Sequence, residues 1–220
     1  MNIHRLSRNV RRILFDARIR VTPLPLCPGI RLHLISPENM TRPFSPEETR
    51  RIITDTPYWG FCWASGQALA SALLRDPGWV CGKSVLDFGA GSGVVAVAAA
   101  MAGAGEVLAC DRDPGSIEAV RANAALNGVD VRTCPSLDAL PKDLDVILAA
   151  DILYDRDNLP YLEILMNHAP EILVAESRVK NIDLHPYRKI MEMESSTLPD
   201  LDRFDPYRRV RIYRAMSSGD

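Results

Sequence analysis

Residues 87–93, Asp-Phe-Gly-Ala-Gly-Ser-Gly, place a carboxylate ahead of three alternating glycines, Gly89, Gly91 and Gly93. A short apolar run, Val85 to Phe88, leads into them, and an alanine/valine stretch, Val94 to Ala102, follows. A strand that turns through glycines into a helix brings backbone amides close to a nucleotide-like ligand, because no Cβ stands in the way. The dinucleotide pattern GxGxxG needs a third glycine at position 94, where this chain has Val94. Asp87 also argues against a pyrophosphate, since like charges repel at short range. A cationic cofactor carrying its own amino group suits this turn better.

Two more carboxylates end apolar runs. Asp111 follows Glu106–Cys110, 24 residues after Asp87. Ligands of open α/β sheets bind outside the carboxyl ends of the strands, and a carboxylate there can accept both hydroxyls of a ribose. Asp113, just before Pro114, suits the capping of the next helix better than Asp111 does. The turn Cys134–Asp138 lies where an adenine edge would sit, with Ser136, Asp138 and the backbone N–H of Leu137 as candidate contacts. Asp151 ends the run Asp145–Ala150 and is followed three residues on by Tyr154. Acid and aromatic at that spacing are common in loops, but their place directly after a buried strand makes the pair more specific.

Upstream, Tyr58, Trp59, Phe61 and Trp63 crowd into one short segment. Trp63 reads as facing the cofactor; for Trp59, core packing and contact with cofactor or substrate both stay open.

These residues need a frame. From Ser84 the text alternates strand and helix, which implies a parallel sheet with helices on both faces. Strands are expected over 84–88, 106–110, 130–134, 145–150 and 172–175, with helices over 94–102, 114–126 and 159–168. Two more strands, 187–195 and 208–213, close the chain. Before the glycine turn, residues 1–56 form an N-terminal part and residues 57–216 the main domain. Ile3, Leu6, Val10, Ile13, Leu14 and Ala17 recur at helical spacing, so residues 1–20 read as an amphipathic basic helix. Proline-rich linkage follows, then a strand over 30–35 and a helix entered through Ser45-Pro46-Glu47-Glu48. A helix is expected over 65–74.

The totals exclude some classes. With a net charge of −2 there is no global basic field for nucleic acid, and no run of 18 apolar residues could span a bilayer. Five cysteines without a CxxC pair argue against a disulfide framework and against a zinc site. Six arginines against one acid in the first 20 residues also resemble a mitochondrial presequence, which would mean the matrix. The ordered-helix reading goes with a cytoplasmic protein of bacterial type, expected to be a monomer. The arginines near both ends form either a solvated face or a local patch able to dock an acidic partner.

Asp87 with Gly89, Gly91 and Gly93 resembles motif I of the class I methyltransferases that use S-adenosylmethionine. Asp151-Ile152-Leu153-Tyr154 resembles the [Asp/Glu]-x-x-[Tyr/Phe] signature of the seven-β-strand lysine methyltransferases of family 16. Within that family the chain is similar to the electron-transfer-flavoprotein β-subunit lysine methyltransferases and their bacterial relatives. The similarity runs over about residues 22–176, with matches at Pro57-Tyr58-Trp59, Trp63–Ala70, Gly82–Asp87 and Asp151–Asp155.

The resemblance implies an α/β, Rossmann-like, doubly wound seven-stranded sheet with an N-terminal helical and hairpin extension. It implies S-adenosylmethionine as cofactor, S-adenosylhomocysteine as product, and methyl transfer to a protein lysine, on the flavoprotein β subunit in the narrow reading. Asp151 and Tyr154 would be catalytic. Trp63, Asp87, Gly89, Gly91, Gly93, Asp111, Ser136, Leu137 and Asp151 would hold the cofactor, with Trp59, Tyr154 and Glu176 on the substrate side. Two departures stand out. The family's Trp-Pro-Gly-Gly-Gln-Ala is Trp63-Ala64-Ser65-Gly66-Gln67-Ala68 here, and its Asp-Pro-Gly-Arg is Ala175-Glu176-Ser177-Arg178. A ribosomal protein or a small amine such as nicotinamide are alternative acceptors, and a non-catalytic cofactor-binding module is the alternative class.

Overall fold

The computed structural model describes residues 3–137, 140–141, 143–179, 181–200 and 207–216. Its centre is a seven-stranded sheet in the order β5-β4-β3-β6-β7-β9-β8. The parallel part comprises β3 (Ser84–Phe88), β4 (Glu106–Cys110), β5 (Arg132–Cys134), β6 (Val146–Ala150) and β7 (Glu171–Glu176). The central β6 and β7 read as near-continuous apolar runs because both of their faces are covered. At the far side β9 (Arg209–Met216) runs antiparallel between β7 and β8 (Arg188–Glu194). After β5 the chain returns across β3 to form β6, so the winding reverses at β3. The crevice at the carboxyl ends there is where such sheets take ligands.

Helices α3 (Ala64–Arg75), α4 (Val94–Met101) and α5 (Pro114–Asn127) cover the sheet, and α4 packs between the other two. The alanines and valines of α4 are there because the space is narrow. A Cβ on Gly66 of α3 would come within 2.9 Å of Val94 Cγ1, and one on Gly93 within 3.0 Å of Val120 Cα. Asp113 caps α5, accepting the Gly115 N–H at 2.8 Å, as its place before Pro114 suggested. The short α6 (Tyr161–Leu165) starts only after Pro160, two residues later than the periodicity indicated, and it ends three residues sooner.

The N-terminal part departs further from expectation. α1 covers only Ile3–Arg11, and β1 (Ile19–Leu24) pairs antiparallel with β2 (Cys27–Ile35). The stretch expected to end a helix and run on as proline-rich linkage is therefore a strand. Pro23 is tolerated because the ribbon has two strands only, leaving a free edge for a residue without an N–H. Tertiary packing ends the helix, with no glycine or proline at the spot. Ile13, Leu14 and Ala17 turn into the core beside Leu6 and Val10, while the Phe15 N–H donates to Glu48 at 3.1 Å. Glu48 also closes the capping box with Ser45 on α2 (Pro46–Thr54), the entry read from Ser45-Pro46. Gln67, buried in α3, ties hairpin to sheet: it accepts the Leu26 N–H at 3.0 Å and donates to the Ser196 carbonyl at 2.8 Å.

Candidate active site

Gly89, Gly91 and Gly93 take φ values of 71°, 52° and 77°. That left-handed region costs an ordinary residue about 1–2 kcal/mol. Over Gly91 a Cβ would meet nothing nearer than the Gly89 carbonyl at 4.0 Å, so the turn is open at its tip. Asp87 supports it from beneath. Its side chain is 2% exposed and accepts the Ala96 N–H at 2.9 Å, gripping the first turn of α4. Burial pushes its carboxyl up to about 7. What the structure shows for Asp87 is therefore support of the turn, not an open face toward a ligand's amino group.

Asp111 accepts the Gly91 N–H at 2.8 Å on one oxygen and the Asp113 N–H at 2.9 Å on the other. Each oxygen retains a lone pair. Burial raises its carboxyl above the usual range. It borders a hollow of about 570 Å³ with Ile117 and Pro135 among the lining residues. A carboxylate with acceptor capacity left on both oxygens, beside an open glycine turn, fits the two hydroxyls of a ribose. The residues present thus fit the adenosine end of S-adenosylmethionine. Beyond β5, Ser136 is exposed and Leu137 half-buried against the core, whereas Asp138 lies outside the described residues.

Asp151, directly after β6, is the hub of the other half. Its φ of 51° is left-handed, a conformation aspartate tolerates better than most residues. One oxygen accepts the hydroxyls of Ser65 and Ser177, each at 2.7 Å, and the Ser177 N–H at 3.2 Å. The other accepts the Ser65 N–H at 3.2 Å. The carboxylate therefore joins the first turn of α3 to the end of β7. Neither serine stands out in the sequence, where Ser65 reads as helix entry and Ser177 as loop.

Glu176 is 0% exposed, which corrects its expected place on the substrate side. One of its oxygens accepts the Leu153 N–H at 2.9 Å, and the other is buried without a hydrogen-bond partner. Burial, with the charge of Asp151 adding to it, pushes its carboxyl up to about 8. Its visible work is to hold the turn Ile152–Tyr154 in place.

The three segments that meet at Asp151 bring aromatics with them. Tyr154 lies 5.4 Å from Tyr58 between ring centroids, and Tyr58 lies 5.8 Å from Trp63. The Arg178 guanidinium sits over Trp63 at 5.7 Å and over Tyr207 at 4.5 Å. The Trp63 indole N–H donates to the Tyr58 carbonyl at 3.1 Å. Trp59 is elsewhere. It is 3% exposed, in the core with Leu6 and Ala119, and its Nε1 would lie 2.5 Å from a Cβ on Gly115. Core packing is thus the role the structure gives Trp59, and its neighbour Tyr58, 42% exposed, takes the outward place.

The relatives of the chain fit this arrangement. The family model for ribosomal protein L11 methyltransferase (PrmA) matches residues 76–178, the stretch that carries Asp87, Asp111, Asp151 and Glu176. The electron transfer flavoprotein beta subunit lysine methyltransferase of Mus musculus is 34% identical over 184 residues, covering 80% of this chain and 71% of the relative. Its Xenopus laevis counterpart is 30% identical over 212 residues, covering 92% and 85%. Among solved structures, magnesium protoporphyrin IX methyltransferase from Synechocystis PCC 6803, with bound SAM, shares the fold. Its TM-score is 0.52 at 20% identity, over 70% of this chain and 79% of that one. With the glycine turn, Asp111 and the Asp-x-x-Tyr turn at the carboxyl ends of the neighbouring strands β3, β4 and β6, the chain is an S-adenosylmethionine-dependent methyltransferase and belongs to the electron transfer flavoprotein beta subunit lysine methyltransferase family.

Proposed function

We propose that the methyl acceptor is a lysine of the electron transfer flavoprotein β subunit. The observation that carries this reading is the single carboxylate of Asp151, held by Ser65 and Ser177, among the segments that bear Tyr58, Trp63 and Tyr154. An acid beside aromatic faces suits an ammonium. The relatives that match the chain over most of their length carry the flavoprotein subunit in their names.

A lysine ammonium has no lone pair, and with a free pKa of about 10.4 it must lose a proton before it can accept a methyl. Asp151 draws the ammonium in and orients it. Tyr154 and Tyr58 strip its water, which favours the neutral amine, and the proton passes to bulk water before the methyl moves. S-adenosylmethionine supplies an electrophilic methyl on a sulfonium when bound, and the glycine turn with Asp111 would hold its adenosine end. Most of the acceleration then comes from alignment.

Two tests follow. Purified electron transfer flavoprotein, incubated with the enzyme and labelled methyl donor, should carry label on β-subunit lysines, read by mass spectrometry. Label found only on ribosomal protein L11, the acceptor in the matching family's name, or only in small amines, overturns the proposal. Tyr58→Ala should raise KM for the flavoprotein about tenfold, roughly the 1.4 kcal/mol of one exposed aromatic contact, with unchanged melting temperature. Trp59→Phe should do the reverse, leaving KM alone and costing about 1–2 kcal/mol of stability.

A further inference from the structure

Among the described residues, the arginines around α1 make no hydrogen bond to Asp111, to Asp151 or to the glycine turn. α1 carries Arg5, Arg8 and Arg11, with Arg12 directly after it, and its first turn holds no acid. Arg5 in the first turn opposes the helix dipole, whereas Arg8 and Arg11 in the last turn favour it, so the dipole accounts for only part of the pattern. The opposite side is locked into the core through Leu6 and Val10, which leaves the arginines as a fixed, exposed fan. Among the described residues Arg5 pairs with Glu118 at 3.2 Å and Arg11 donates to the Ala17 carbonyl at 3.1 Å. The side chains of Arg8, Arg12 and Arg112 make no ion pair there.

Two open hollows meet at this fan and share Arg8. The first, of about 570 Å³, runs from Asp111 past Arg112 and Arg121 to Arg5. The second, of about 750 Å³, is lined by His4, Ser7, Arg8, Arg11 and Arg12 and holds no acid at all. In a chain whose net charge is −2, this is a local concentration and not a reflection of the whole.

We propose that this arginine face docks an acidic surface of the same protein whose lysine is methylated. The proposal rests on the protein-acceptor reading above. The adenosine end of the cofactor carries no phosphate and gives four arginines beside Asp111 nothing to bind. A single-stranded nucleic acid would want aromatic platforms among the cations for stacking, and the lining of both hollows has no Phe, Tyr or Trp. The geometry suits one continuous interface. Asp111 follows β4 and Asp151 follows β6, with β3 between them. Two strand spacings put the two ends of the site roughly 10 Å apart. A standard interface of about 800 Å² per partner spans that distance easily. Charge on such a face steers encounter and fixes orientation, and its effect fades as salt screens it.

The test is the double variant Arg11→Glu/Arg12→Glu, two exposed positions that line the second hollow and not the one beside Asp111. With electron transfer flavoprotein as acceptor at low salt, KM should rise at least tenfold, while kcat at saturation and cofactor affinity stay within twofold. Added sodium chloride should raise the wild-type KM steeply and the variant's hardly at all. Poly-L-glutamate should bind the wild type in fluorescence anisotropy and not the double variant, and Arg11→Lys/Arg12→Lys should restore both effects. A double variant with wild-type KM and wild-type poly-L-glutamate binding overturns the proposal. So does a variant that loses RNA binding while its KM for the flavoprotein is unchanged. Should the wild type leave the flavoprotein unmethylated, the substrate reading fails instead. Poly-L-glutamate binding then decides the docking face alone, and equal binding by wild type and double variant sinks it.

Discussion

Replacing Asp151 with alanine is expected to lower kcat by about 10²–10³-fold, the range seen when a charge-stabilising group is removed from a catalytic site. Cofactor affinity should be largely kept. The separation follows from the hydrogen bonds. Asp111 and Asp87 tie the glycine turn to β4 and α4 without passing through Asp151. Asp151 alone links Ser65 to Ser177, and it presents the only carboxylate of that hub that is not fully buried. Alanine also sits poorly at a φ of 51°, and two serine hydroxyls would lose their acceptor, so a stability loss of roughly 2–4 kcal/mol should accompany the change. Asp151→Asn separates the effects. Asparagine tolerates the left-handed backbone and keeps an oxygen for the serine hydroxyls but none for the Ser65 N–H, so its melting temperature should fall less than that of Asp151→Ala while kcat falls almost as far. An Asn variant that methylates at the wild-type rate would show that the charge is not needed.

The second large effect concerns Glu176. With a carboxyl raised from 4.5 to about 8, the folded protein keeps a proton that the unfolded chain gives up near pH 4.5. Folding therefore takes up a proton across that window, and stability falls as pH rises from about 4.5 to 8, levelling once both states are ionised. Asp87, raised from 3.8 to about 7, acts in the same direction over a lower window. Glu176→Gln removes one titration and keeps an oxygen for the Leu153 N–H. Its melting temperature should match wild type near pH 5 and exceed it by several degrees at pH 9. Glu176→Ala should instead lower kcat about tenfold or more at every pH, because the turn carrying Tyr154 loses its anchor. Parallel melting curves for wild type and Glu176→Gln from pH 5 to 9 would mean that this carboxylate is not buried as described.

Much of this was legible in the chain. The strands 84–88 and 106–110 match β3 and β4 residue for residue, and β6 starts one residue later than read, because a strand covered on both faces has to be an apolar run. The caps at Ser45 and Asp113 were legible for a local reason: side chain and backbone partner lie within three residues. What failed was decided at a distance. Trp59 and Tyr58 sit in a single turn of 3₁₀ helix, where no periodicity says which neighbour faces inward. Glu176 reads as an acid on the substrate side, and the fold buries it instead, with the Leu153 N–H of the turn 152–154 donating to its carboxylate. The departure from helix to strand before Ile19 leaves no mark in residue types, because packing against Glu48 and the core ends the helix.

Asp151 has a consequence for how the site assembles. The bonds that shape the glycine turn close over 9 and 20 residues of chain, whereas those of Asp151 close over 86 and 26. Contacts of long chain separation carry the larger ordering entropy and form only when the sheet between them is complete. The cofactor turn is local and survives fraying at the edges. The acceptor side is not, so partial unfolding should leave a protein that grips its cofactor yet has nowhere to receive a lysine.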